Sequence, residues 1–204
     1  MKETILKIVS ESIAVKERFF NENADKVAEA ASVIAEAFSK GRKLLLFGNG
    51  GSSSDASHIA AEFINRFKRE RPGLPAIALN TDMAVMTSIA NDYDFSDVFA
   101  RQLKSIADAG DVVIAISTSG GSKNVLKAVE AAKKKKLTVI AFTGAKGIKF
   151  AEKATIAFIV QTEDTARIQE THITIGHVIC ELVESILFEF PAKKTKKAVT
   201  AAQP

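Results

Sequence analysis

Leu44-Leu45-Leu46-Phe47-Gly48-Asn49-Gly50-Gly51-Ser52-Ser53-Ser54 runs from four bulky apolar residues directly into a Gly/Ser/Asn turn. Successive apolar positions fit a strand buried on both faces, and the small polar residues after it fit a tight turn that opens a helix. A second stretch, Ile116-Ser117-Thr118-Ser119-Gly120-Gly121-Ser122, repeats the plan. Glycines let the backbone approach an anion, while free N–H groups at the helix start and several hydroxyls supply donors without a full charge, a combination suited to phosphate. One such loop can be simply a turn and an N-cap. Two in equivalent places favour a binding edge, because ligands of open α/β sheets sit beyond the carboxyl ends of strands where the strand order switches.

Further apolar runs read as strands at 76–79, 112–116, 138–142 and 155–160, which with 44–47 make five. Helical spacing of apolar residues predicts helices over about 54–67, 83–89, 95–107, 122–135, 146–152 and 165–189, the last ended by Pro191. Strands alternating with helices predict an α/β fold with a parallel sheet covered on both faces. Upstream, Ile5, Ile8, Val9, Ile13 and Phe20 fall at helical spacings and predict one helix over 3–20. After Asn21-Glu22-Asn23, Val27, Val33, Ile34 and Phe38 predict a second helix, stopped by Gly41.

The 204 residues, 47% hydrophobic and 25% charged, suit one globular domain, expected over 1–191. A net charge of +4 invites a nucleic-acid partner. Its location argues otherwise: Lys193, Lys194, Lys196 and Lys197 account for the whole excess, leaving 24 basic and 24 acidic groups in 1–191. The segment 192–204, without apolar period, is expected to be disordered. The single Cys180 excludes an intrachain disulfide and a thiolate zinc cluster. The start of the chain lacks an apolar signal core and no apolar run approaches ~18 residues, so a cytoplasmic, non-membrane protein is expected.

Gly48-x-Gly50 follows a strand, but the third glycine of a dinucleotide fingerprint would fall on Ser53, and no acid ends the second strand. No GxxxxGK[ST] occurs either, which excludes an ATP P-loop by motif. Of the three histidines, His58 stands four residues before Glu62 on the helix after the first loop, so both side chains leave one face. Such a pair alone can be an exposed polar i,i+4 contact. On the last helix Gln169 and His177 are eight apart, roughly 80° around the axis, and His172 competes with His177 for any role. A carboxylate, imidazoles and an amide oxygen can bind zinc without cysteine, and carboxylate with imidazole also forms an acid–base pair.

Phe47-Gly48-Asn49-Gly50-Gly51-Ser52, His58-x-x-x-Glu62, Ala90-Asn91-Asp92, Ser117-Thr118-Ser119-Gly120-Gly121-Ser122 and Arg167-Ile168-Gln169-Glu170, with His177 following, closely resemble the phosphoheptose isomerases. These are sugar-isomerase (SIS) domain proteins, and the resemblance runs from about residue 5 to 188. It implies a flavodoxin-like five-stranded parallel sheet with an N-terminal helical pair, and a homotetramer with active sites between subunits. The implied reaction converts sedoheptulose 7-phosphate to D-glycero-D-manno-heptose 7-phosphate, the first step towards nucleotide-activated heptose. By position it makes His58, Glu62, Gln169 and His177 ligands of one zinc per subunit, Glu62 also the catalytic base and His177 the acid. Asn49, Gly50, Gly51, Glu62, Asn91, Asp92 and Gln169 would contact the sugar, and Ser117, Thr118, Ser119 and Ser122 its phosphate.

A non-catalytic branch of the same fold binds the replication initiator DnaA. Phe63-Ile64-Asn65-Arg66-Phe67 and Arg71-Pro72-Gly73-Leu74-Pro75-Ala76-Ile77-Ala78-Leu79-Asn80-Thr81-Asp82 are more similar to that branch. It lacks the acid at the position of Glu62 and the histidine at that of His177. Retention of both in this chain favours the enzyme.

Overall fold

The computed structural model describes residues 1–188; Pro191 and the Lys-rich segment 192–204 lie outside the described residues. Five strands form one parallel sheet: β1 (Leu44–Gly48), β2 (Ala76–Ala78), β3 (Val112–Ser117), β4 (Thr138–Gly144) and β5 (Ile156–Val160), in the order β2-β1-β3-β4-β5. Every residue of β1 and β3 is buried, as their uninterrupted apolar runs require. The edge strands β2 and β5 alternate buried with exposed or half-buried positions instead. Chain order reverses between β1 and β3, whose register pairs Gly48 with Ile116. Both Gly/Ser loops therefore leave the sheet side by side at the switch point.

Strand side chains alternate between two cores. Leu44, Leu46, Ile114, Ile116, Ile140 and Phe142 pack under α1 (Lys2–Ser39), α2 (Gly51–Ile64) and α7 (Thr165–Phe188). Leu45, Phe47, Val113, Ala115, Val139 and Ala141 face the other layer, formed by α3 (Met83–Asp92), α4 (Val98–Ile106), α5 (Lys123–Lys134) and the short α6 (Ile148–Ala151). Helix α7 is long and apolar enough to cross a membrane. Its apolar stripe of Ile168, Ile175, Ile179 and Val183 is spent on the first core, and its Glu184 is buried against Arg71, as in a core helix.

The N-terminal pair of helices is a single helix of 38 residues. Asn21-Glu22-Asn23 carries neither Gly nor Pro, and each residue costs well under ~1 kcal/mol inside a helix. Asn23 also donates its Nδ2 to the carbonyl of Phe19, 2.9 Å away, one turn back. Burial of Phe19, Val27, Ala30, Ala31 and Ile34 against the sheet and α7 outweighs that small penalty. In the first half of α1 the helically spaced Ile5, Ile8, Val9 and Ile13 are 46–59% exposed. The helix outruns the domain beneath it, and its first half is tied down by Arg167, whose Nη1 donates to the Ile8 carbonyl at 2.7 Å.

Candidate active site at the carboxyl edge

Helix α2 starts directly after the β1 loop, so Gly51, Asp55, His58 and Glu62 recur at helical spacing along one side. Helix α7 lies against that side. Gln169 rests on Gly51, where an added Cβ would overlap its amide, and further along Gly176 lies against Ile59, so the two helices run in parallel. His177 then meets His58, with Nε2···Nε2 at 3.4 Å, while His58 Nε2 stands 3.1 Å from Glu62 Oε1. The ring of Phe67 stacks on His177, centroids 5.3 Å apart and planes at 26°. His58, Glu62 and His177 thus form a metal-competent trio, with ligand atoms all within 4.8 Å of one another. Burial, with a smaller contribution from His58, lowers the pKa of His177 against the pull of Glu62, favouring the neutral imidazole that a metal requires.

Gln169 is not a member of this trio. Eight residues at 1.5 Å rise place it about 12 Å along the axis from His177, beside the β1 loop. His172, the competing histidine, is fully buried on the opposite side of α7, with Nε2 3.3 Å from the Thr143 carbonyl. That contact puts its proton on Nε2 and leaves Nδ1 as a buried acceptor without a partner. Burial drives its pKa down to about 4 from the ordinary 6.5. Below pH 6.5 the unfolded chain takes up a proton that the folded chain refuses until about pH 4, so stability falls as pH falls through that window. The shift corresponds to about 3 kcal/mol. Urea unfolding at pH 7 and pH 4.5 should show that loss, and His172→Gln should flatten it.

The second loop turns on Gly120, whose φ is +67° and where a Cβ would lie 2.5 Å from Gly147 Cα. Ser117 Oγ donates to Ser122 Oγ at 3.2 Å, and Ser119 Oγ accepts from the Gly121 N–H at 3.2 Å. Thr143 Oγ1 secures the base of the loop on the Ser117 carbonyl at 2.7 Å. Thr118 and Ser119 border a cavity of about 170 Å³ together with Lys146, Glu163 and Thr165. Lys146 and Glu163 pair across its rim at 2.8 Å. Asn91 and Asp92 end α3 exposed, with Asn91 Nδ2 donating to Asp92 Oδ1 at 3.0 Å.

Four further residues escaped the sequence reading. Asn124 exchanges two 2.8 Å amide bonds with Asn49 and so ties the two loops together. Asp55 continues the face of Gly51 and His58; its Oδ2 is buried without a partner, and burial raises its pKa to about 6 against the pull of His58. Its spacing from Gly51 and His58 was the available signal. Phe67 and Arg71 lie in the segment after α2. That segment has a structural task in this chain, since Arg71 Nη2 donates to the carbonyl of Glu62 at 2.8 Å.

The SIS domain family model matches residues 9–144. The phosphoheptose isomerase of Thermodesulfovibrio yellowstonii is 62% identical over 196 residues, 96% of this chain and 98% of that protein. That of Aquifex aeolicus is 50% identical over 189 residues, 93% of this chain and 99% of its own length. Among solved structures, the phosphoheptose isomerase of Francisella tularensis superposes with a TM-score of 0.86 at 35% identity, covering 90% of this chain and 97% of that one. Nothing in these likenesses points to the DnaA-binding branch. With the family's loops at its switch point and an acid–imidazole trio beside them, the chain belongs to the phosphoheptose isomerase family of SIS-domain proteins.

Proposed function

We infer that this chain is an aldose–ketose isomerase that interconverts sedoheptulose 7-phosphate and D-glycero-D-manno-heptose 7-phosphate through an enediol. The observation that carries the reading is the meeting of Glu62 with His58 and His177 on parallel helices, one of which opens from the β1 loop. An enediol route needs a base that takes a proton from carbon 1 and returns it to carbon 2, and an acid that serves the two oxygens. Glu62, partly open to solvent with its side chain 24% exposed, is the base. His177 moves the proton between the oxygens. The hydroxyls of Ser117, Thr118, Ser119 and Ser122, with the N–H groups opening α5, hold the phosphate. Asn49, Gly50, Gly51, Asn91, Asp92 and Gln169 orient the sugar chain.

The trio also suits zinc. Ligand atoms of a tetrahedral zinc at about 2.0–2.1 Å stand about 3.3 Å from one another; the contacts of 3.1 and 3.4 Å match two of the trio's three edges, and the third lies within 4.8 Å. His58, Glu62 and His177 would hold the ion within one chain. When bound it supplies positive charge that stabilises oxygen anion character during proton transfer. Gln169, too far along its own helix to be the fourth donor, reaches such a site in a homotetramer with sites between subunits. The exposed apolar stripe of Ile5, Ile8, Val9 and Ile13 supports that assembly.

The test is a coupled assay of the purified chain on sedoheptulose 7-phosphate, with metal content measured alongside. Turnover that is lost on chelation and restored by zinc is expected. Metal-loaded protein without turnover would refute the reading, and capture of DnaA by such protein would favour the regulator branch.

A further inference from the structure

We propose that residues 65–71 form a positioning strap that sets Glu62 and His177 at their working separation, Arg71 acting on the first and Phe67 on the second. The proposal rests on the isomerase reading of the site. Helix α2 ends at Ile64, only two residues past Glu62; the Ala61 carbonyl accepts the Asn65 N–H, but the carbonyls of Glu62 and Phe63 in its last turn have no partners within the helix. Arg71 supplies them. Its Nη2 donates to the Glu62 carbonyl at 2.8 Å, and its Nη1 to the carbonyls of Phe63 at 2.7 Å and Asn65 at 3.2 Å. Its Nε donates to Glu184 Oε1 at 2.9 Å, and both side chains are 1% exposed.

Glu184 stands on α7 seven residues beyond His177, two turns along and on the same face. Its carboxylate accepts the backbone N–H groups of Phe67, Lys68 and Arg69 at 2.9, 3.0 and 3.0 Å. Burial works to raise the pKa of this group, but the three amides and Arg71 outweigh it and hold the carboxyl below its usual range. The strap backbone is thereby fixed to the helix that carries His177, and from it the Phe67 ring lies flat on the imidazole. One buried ion pair thus controls two distances. It anchors the backbone of the base on α2, and it fixes the platform that orients the acid on α7. A buried pair kept for stability alone is readily replaced by apolar residues; here every hydrogen bond described for the Arg71 side chain ends on Glu184 or on a carbonyl between Glu62 and Pro72.

Phe67→Leu keeps apolar bulk, leaves the buried charges alone and removes the flat face. Its kcat on sedoheptulose 7-phosphate should fall about tenfold and its zinc dissociation constant, read by chelator competition, rise about tenfold, with KM within about twofold. Phe67→Tyr should restore both. Arg71→Lys keeps the charge but loses the planar fork that spans Glu62, Phe63 and Glu184, and the folded variant should lose about 10–100-fold in kcat at similar KM. If both variants merely melt earlier, with kcat and zinc affinity per folded molecule unchanged, the strap is structural only and the inference falls. A wild-type chain without turnover would instead overturn the isomerase reading, and the zinc affinities of the same variants would still decide the strap.

Discussion

Glu62→Gln is expected to reduce turnover of sedoheptulose 7-phosphate by at least about 10²–10⁴-fold, the contribution of a positioned general base, while the protein stays folded. The substitution preserves shape and the hydrogen-bonding partner His58, 3.1 Å away, but an amide cannot take the proton from carbon 1. Its structural cost is small. Glu62 is held in place through its backbone by Arg71, its side chain is 24% exposed, and partly exposed ion pairs contribute only about 0–1 kcal/mol. Steady-state kinetics with a melting curve check this: near wild-type kcat would remove Glu62 from the base role, and a collapsed melting temperature would make it a structural residue.

Ser119→Ala should act on the other half of the site, raising KM about 10–100-fold with kcat nearly unchanged. A hydrogen bond to a charged group contributes about 1.5–3 kcal/mol, and phosphate binding far from the reacting carbons is shared by ground and transition states. In the structure Ser119 Oγ accepts the Gly121 N–H, so the hydroxyl proton remains free for a phosphate oxygen. The double variant Ser117→Ala/Ser119→Ala should lose more, because Ser117 is buried beneath the loop and bonded to Ser122. Competition by inorganic phosphate separates the effects: its inhibition constant should rise with KM. A fall in kcat at constant KM would place these serines at the chemistry instead.

The sheet and its two loops were readable because burial on both faces leaves apolar runs in β1 and β3, and because Gly, Ser and Asn mark the turns. His177 could have been separated from His172 by the same periodicity. His172 shares the stripe of Ile168, Ile175 and Ile179, all buried, whereas His177 falls off it. Local chemistry misled where it stood alone. Asn21-Glu22-Asn23 has turn composition, yet packing of Phe19 and Val27 carries the helix through. Ile5, Ile8, Val9 and Ile13 have the period of a buried face, but within one chain nothing covers them. The contacts that organise the site were out of reach for another reason. Asn49 and Asn124 are 75 residues apart and Arg71 and Glu184 are 113 apart, and no local pattern encodes a pairing that the tertiary fold alone creates.

The central claim is that Glu62 carries a proton between two carbons through an enediol, and isomerisation in D₂O tests it most directly. Glu62 is partly exposed, so a proton it carries should exchange with solvent before it is returned. The account expects deuterium at carbon 2 of the heptose product and at carbon 1 of recovered sedoheptulose 7-phosphate, with both signals lost in Glu62→Gln. Full turnover with protium retained at carbon 2 would mean that hydrogen passes directly between the carbons, and would contradict it.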